Sequence, residues 1–428
     1  MTIVLLFGLL LGLLMTGMPI FAALGIASLI IMAVFEGKVL SMADTVFASL
    51  DNPLLATIPM FAFMAHVMIR ARVVDDLYDM ANKLVGHMRG GLGLATILSC
   101  TIFATISGSS VATALTIGAT AIPQMQRFGY RPRDTYGIIA AGGTLGILIP
   151  PSGPMILYAI VTNASIGGLF LAGIVPGLLI AAIFALFNWA QARANPATQA
   201  QGWPGMAAVL RALRNSVWAV LMPPLVLGGI YFGIFTASEA AAIGAAYALL
   251  VAVLVYRNVG WRDLVDCALD TMRTSAMLFM IIAAAAMFGH AVTIIRLPAQ
   301  IMEGVTALEL SQTGFILVVM IAIFVLGMFL ETIAIILITT PIILPAMMAL
   351  QIDPIWYGVM LMINLELALI TPPVGMNLFV LKGITNAPLG EIVRGTLPYV
   401  LLLIVGLFIV WAFPQLALWL PLASGFGR

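Results

Sequence analysis

The chain has 428 residues, of which 63% are hydrophobic and 8% charged, with a mean hydropathy of +1.15. Ordinary soluble domains carry about 25% charged residues, so the composition excludes a water-soluble globular protein and implies an integral membrane protein of many helices. A net charge of +1 provides no basic stripe for a nucleic acid, and Cys100 and Cys267 make neither a disulfide framework nor a metal pattern.

Apolar runs long enough to cross a bilayer, about 20 residues, are expected at 3–34, 54–70, 135–162, 168–190, 217–235, 238–256, 274–295, 355–381 and 396–420. The first lacks a basic leader and a cleavage site and reads as a mature segment; it makes two short spans if it turns near Gly17-Met18-Pro19. Residues 94–126 and 312–350 are too long for one span. Each is broken, by Ser107-Gly108-Ser109-Ser110 and by Glu331-Thr332, and each reads as a re-entrant hairpin. The segments 73–88, 206–217 and 261–272 have one apolar helical face and read as interfacial helices. The linker from Asn195 to Gly205 joins two halves.

Two of the spanning runs carry the same interruption. Residues 143–153 read GTLGILIPPSG and residues 365–375 read LELALITPPVG. Proline removes a backbone donor and glycine admits unusual dihedrals, so neither stretch suits an ordinary spanning helix. Pro150 and Pro372 are 222 residues apart, and the same displacement relates Pro123 to Pro345, Pro132 to Pro354 and Gly153 to Gly375. A displacement of 219 relates Gly25 to Gly244 and Asp44–Asp51 to Asp263–Asp270, and Thr162-Asn163-Ala164 recurs as Thr385-Asn386-Ala387. The chain therefore reads as a duplicated unit.

Arginine and lysine accumulate on the cytoplasmic side. The first hairpin is flanked by Arg70, Arg72, Lys83, Arg89, Arg127, Arg131 and Arg133, the second only by Arg296. Lys382 and Arg394 follow the second broken helix, whereas the segment after the first is uncharged. The two units are thus inverted. The fold class that follows is an all-α polytopic membrane protein of two inverted-topology repeats. Each repeat has five spans, one of them a broken helix, plus one re-entrant hairpin, and both termini lie outside. The expected domains are 1–53 (scaffold spans and arm), 54–193 (moving part of repeat 1), 194–216 (cytoplasmic linker and interfacial helix), 217–273 (scaffold and arm of repeat 2) and 274–428 (moving part of repeat 2).

No phosphate-binding loop, nucleophile elbow or paired metal-ligand spacing occurs, and His66, His87 and His290 are isolated. Intramembrane polar atoms cluster instead at the hairpin breaks and the Pro-Pro breaks. Carbonyl and hydroxyl oxygens suit a hard cation and half-helix N-termini favour a carboxylate, so a sodium ion and an organic anion fit side by side. A carboxylate at mid-bilayer costs on the order of 2.5 to 3.5 kcal/mol, which singles out Glu331 and Glu366. Either is a proton site, a cation ligand or a buried structural carboxylate. Glu239, at a helix start after Ser238, reads as a capping residue.

The strings GMPIFAALG, ISGSSVATALTIGATAIPQM, GTLGILIPPSGPMILYA, GIFTASEAAA, GMFLETIAIILITTPIILP and NLELALITPPVGMNLFVLKGI resemble the large membrane subunit of the tripartite ATP-independent periplasmic transporters. The resemblance runs from about Gly17 to the last span. It implies an ion transporter superfamily fold in which an elevator domain slides against a scaffold. It also implies a first sodium site at Ser107, Gly108, Ser109, Ser110, Gly143, Thr144, Gly146 and Pro150. The second falls to Gly327, Glu331, Thr332, Thr371, Pro372 and Gly375. Substrate is expected near Ser110, Thr113, Pro151, Ser152, Asn364, Glu366 and Asn377. The implied partners are a small four-span membrane subunit and a periplasmic substrate-binding protein, in the bacterial inner membrane, with sodium as coupling ion and no cofactor. The implied substrate is a carboxylate, such as a C4-dicarboxylate, a sialic acid or another sugar or keto acid. Rival readings are a stand-alone sodium/dicarboxylate symporter, a non-transporting scaffold and an intramembrane enzyme using Ser109.

Overall fold

The computed structural model describes residues 8–10, 12–14, 16–35, 41–195 and 198–426. No strand forms among them, and seven helices, or eight if one bent pair counts as a span, are long and apolar enough to cross a membrane. The protein is a multi-pass membrane protein. Many of its large exposed side chains, including Leu254, Met280, Phe408 and Trp419, are apolar as lipid contact requires.

The chain turns at Gly17, whose φ of +81° favours glycine, and enters α1 (Ile20–Phe35). The turn falls where the sequence predicts; residues 3–7, 11 and 15 of the first expected run lie outside the described residues. Next come α2 (Ser41–Leu50), α3 (Thr57–Arg70) and α4 (Val73–Val85). Two helices, α5 (Gly91–Ser107) and α6 (Ser110–Arg127), pack along each other as the first hairpin. Then α7 (Pro132–Leu148) and α8 (Gly153–Thr162) form the first interrupted helix, followed by α9 (Ile166–Ala194).

The second half begins with α10 (Met206–Val220), α11 (Ala237–Leu250) and α12 (Trp261–Ile294), with α13 (Leu297–Ala307) after it. The second hairpin is α14 (Gln312–Gly327) and α15 (Thr332–Ala349). The second interrupted helix is α16 (Pro354–Leu369) and α17 (Met376–Thr385), and α18 (Leu389–Ala412) and α19 (Gln415–Ala423) complete the chain. Both α8 and α17 end on an asparagine in the left-handed conformation, Asn163 and Asn386. At each end a threonine hydroxyl donates one turn back, Thr162 to the Tyr158 carbonyl and Thr385 to the Leu381 carbonyl.

Three element boundaries differ from those the sequence predicts. Residues 261–272 and 274–295 are not an interfacial arm and a separate span: they form one 34-residue helix, α12. No proline or glycine lies between Trp261 and Ile282, so nothing stops the helix at residue 273. The chain after α10 bends by 46° before the short helical stretch Pro224–Tyr231, at Pro223-Pro224 and not at residue 217. Residues 396–420 are likewise not one span, because Phe413-Pro414 separates α18 from α19.

The centre of the bundle is the crossing of α7 and α16. All residues from Asp134 to Leu148 and from Trp356 to Leu369 are buried. Small residues permit this closeness, as they do between membrane helices generally. A Cβ on Gly143 would lie 2.7 Å from that of Ala114, and one on Gly146 would lie 2.5 Å from the Ser109 carbonyl oxygen. The first hairpin is thereby held against α7. Around this core, α6 packs on α17 and α15 on α8, while α1 packs on α12 and α11 on α3. Polar ties join the turn after α3 to the turn before α12: Arg70 pairs with Asp263, Asn258 donates to the Ala71 carbonyl at 2.9 Å, and Tyr256 donates to Asp76 at 2.7 Å.

Candidate functional site

Each hairpin tip is built by a helix stop and a helix start in quick succession. At the first, α5 ends on Gly108 with φ +57°, and Gly108 packs so closely on Pro151 that a Cβ would sit 2.6 Å from its carbonyl oxygen. Ser109 is extended and caps α6, its hydroxyl accepting from the Ala112 amide at 3.3 Å. Ser110 donates to the Thr144 carbonyl at 3.2 Å, and Thr113 donates to the Ser109 carbonyl and shares a 2.8 Å hydrogen bond with the Ser107 hydroxyl. Hydroxyl and carbonyl oxygens of the tip and of α7 are therefore gathered at one place.

At the second tip, α14 ends at Gly327, which lies against Ala368, and Glu331 occupies the extended residue before α15. The Val374 amide donates to the Met328 carbonyl at 3.2 Å, joining this tip to the Ile370–Gly375 interruption. Gly375 has φ +53°, and the Thr371 hydroxyl donates to the Leu367 carbonyl at 2.6 Å. In each half, then, the hairpin tip abuts the broken helix that follows it. Both Pro-Pro bonds, Pro150–Pro151 and Pro372–Pro373, are cis.

The two tips meet in one cavity of about 270 Å³. Ser107, Gly108, Ser109 and Ser110 line it with Glu331 and Thr332, joined by Pro151 and Gly153 and by Leu369 and Met376 from the two interrupted helices. The facing wall is α3 and α12, through Ile58, Phe61, Met64, Thr274, Met277 and Leu278. Four helices, α6, α8, α15 and α17, begin at or beside this space, so their N-terminal dipole ends converge there. Among the described residues Glu331 is the single ionisable side chain of the lining, and no lysine, arginine or histidine contributes to it.

The sequence matches the family described as tripartite ATP-independent periplasmic transporter, DctM component, over residues 7–416. The chain belongs to the DctM component family. It is 42% identical over 405 residues to the C4-dicarboxylate TRAP transporter large permease protein DctM of Pseudomonas aeruginosa, covering 93% of each chain. It is also 35% identical to the isethionate TRAP transporter permease protein DctMQ of Oleidesulfovibrio alaskensis, covering 94% of this chain and 64% of the relative. The fold resembles the crystal structure of the Alcanivorax borkumensis YdaH transporter, with a TM-score of 0.65 at 15% identity over 91% of this chain and 89% of that one. A DctM-type large permease is a transporter component and not an enzyme.

Within this DctM-type permease the remaining expected site residues do not line the cavity. Gly143, Thr144, Gly146 and Pro150 are buried at the end of α7 and its interruption, Gly327 and Gly375 are buried at the second tip and interruption, Thr371 is half-buried and Pro372 is exposed. Of the residues expected near substrate, Ser110 and Pro151 line the cavity, while Thr113, Ser152, Asn364, Glu366 and Asn377 do not. Asn364 donates to the Met320 carbonyl at 2.8 Å, tying α16 to α14, and Asn377 donates to the Ala140 carbonyl at 3.5 Å, tying α17 to α7. The Ser152 hydroxyl and the Asn377 side-chain oxygen are buried without a partner among the described residues. Among the described residues no three His, Cys, Asp or Glu side chains cluster as for a metal. The sequence reading missed the facing wall. Phe61 and Met277 carry no signal that separates a cavity wall from ordinary core, and nothing in the sequence separates Thr274 from its neighbours Thr271 and Ser275 on the same helix.

Proposed function

We propose that the chain is the large subunit of a sodium-coupled importer for an organic carboxylate in the bacterial inner membrane. The observation that carries the reading is the cavity lined by both hairpin tips, by Pro151 of the first interruption and by Leu369 and Met376 on either side of the second. A monovalent cation at each tip would be held by hydroxyl and carbonyl oxygens. The first set is Ser107, Ser109, Ser110 and the Thr144 carbonyl; the second is Glu331, Thr332 and the backbone between Thr371 and Gly375. The anion would lie between them, its carboxylate at the converging helix N-termini. The relatives named for C4-dicarboxylates and for isethionate support an anionic cargo and leave its identity open.

Two inverted repeats support alternating access. The matched asparagine stops of α8 and α17 and the exchanged packing of α6 on α17 and α15 on α8 are what a pseudo-twofold relation produces. In this reading the two hairpins, the two interrupted helices and the long helices after them move as one elevator unit against a scaffold that includes α3 and α12, whereas the expected bounds 54–193 and 274–428 place α3 and residues 274–294 of α12 with the moving parts. Both termini lie on the periplasmic side. The partners are a small four-span membrane subunit and a periplasmic binding protein. The isethionate relative, whose name joins M and Q and of which this chain covers 64%, supports the first of these.

The test is uptake into proteoliposomes with an inward sodium gradient. Transport is expected only when the small subunit and the loaded binding protein are both present. Undiminished uptake by this chain alone would select a stand-alone symporter instead.

A further inference from the structure

The core of the bundle holds a carboxylate that does not line the cavity. Glu366, on α16, has no exposed surface, and neither of its carboxylate oxygens has a hydrogen-bond partner among the described residues. The polar group nearest to serving it is the backbone of Leu148, the last residue of α7, short of hydrogen-bonding geometry.

No side chain on the surrounding helices supplies a counter-charge. The helices packed against α16 are α7, α8, α9, α14, α17, α18 and α19. Their charged residues are Arg133 and Asp134 at the start of α7, Arg193 at the end of α9, Lys382 in the last turn of α17, and Glu391 and Arg394 near the start of α18; α8, α14 and α19 have none. Asp134 lies fourteen residues before Leu148, about 21 Å of helix at 1.5 Å per residue. A buried carboxylate is costly unless it is paired, coordinates an ion or is protonated; none of these side chains pairs with it, so a charge on Glu366 requires compensation from something else.

Its position says what that is. The first interruption, Ile149–Ser152, begins one residue after Leu148. The second begins at Ile370, four residues after Glu366 on the same helix, or about 6 Å of rise. The second candidate cation site uses the backbone of its interruption, and the first uses the Thr144 carbonyl, four residues before Leu148 on α7, so Glu366 is placed within about one helical turn of a component of each.

We infer that Glu366 is the shared counter-charge of the two cation sites. It coordinates neither ion; its carboxylate offsets the positive charge that both bring into the apolar core. This role rests on the sodium-coupled reading. A unit charge about 8 to 10 Å from a cation, at an effective dielectric of about 20, changes the affinity of each site on the order of ten- to thirtyfold.

The experiment is a thermal-shift titration of the full-length protein in nanodiscs, with sodium replacing choline at constant ionic strength. For Glu366→Gln the sodium midpoint should rise at least about tenfold. In sodium-free buffer the same variant should melt no lower than wild type, because the amide removes an uncompensated buried charge. Glu366→Asp should stay within a few-fold of the wild-type midpoint, a rescue by retained charge. The inference is overturned if Glu366→Gln titrates as wild type does. It is equally overturned if that variant melts well below wild type without sodium, which would make Glu366 a neutral acid held for packing. A wild-type protein that gains no stability from sodium over choline would overturn the sodium-coupled reading itself, and this role with it.

Discussion

At Gly146, on the inner face of α7, a single hydrogen decides whether the first hairpin tip can approach its broken helix. A Cβ there would lie 2.5 Å from the Ser109 carbonyl oxygen and 2.8 Å from the Ser110 amide. Gly146→Val should therefore destabilise the protein by about 1 to 3 kcal/mol through overpacking and weaken sodium binding by moving the Ser109 and Ser110 oxygens away from α7. Thermal melting together with a sodium titration reads both effects, and wild-type behaviour in both would contradict the packing described. Residues of this type are legible in a sequence because glycine and serine are conspicuous inside an apolar run. Phe61 and Met277 line the same cavity and are not legible, since an apolar side chain looks alike in a core, against lipid and on a cavity wall.

The helices were legible wherever chain chemistry sets their ends. Gly108, the Pro-Pro pairs and the paired Asn163 and Asn386 stops all lie where the sequence marks a break. Where chemistry is permissive, boundaries moved: α12 runs through residue 273 because no residue there opposes helix. Faces were only half legible as well. On α10 the apolar face expected of an interfacial helix, Met206, Val209, Leu210, Leu213 and Val217, is exposed at all but Val209, and what the sequence did not mark is the packing side, Val209, Ala212, Ser216 and Ala219. An apolar outer face is stable in lipid, so periodicity cannot distinguish the two sides as it does in water. If α6 moves past α3 as part of an elevator unit, cysteines replacing Val111 and Ala62, both in the cavity lining, should cross-link in one state. Oxidation should then arrest uptake and reductant restore it; full uptake by the cross-linked protein would exclude relative movement of these elements.

For the molecule as a whole, composition alone specified a membrane protein, and the family follows from a match spanning residues 7–416. The facing of tip to tip was beyond the sequence, because Ser110 and Thr332 are 222 residues apart and only the packed bundle brings both to one cavity. That convergence makes the central claim testable in one measurement, the sodium dependence of uptake by Ser110→Ala and by Thr332→Ala in the reconstituted system. Each substitution removes one candidate ligand oxygen. The account predicts that each variant folds, still transports at high sodium, and needs about tenfold more sodium to reach half its maximal rate, a loss of about 1.4 kcal/mol. Half-maximal sodium concentrations unchanged from wild type in both variants would contradict it.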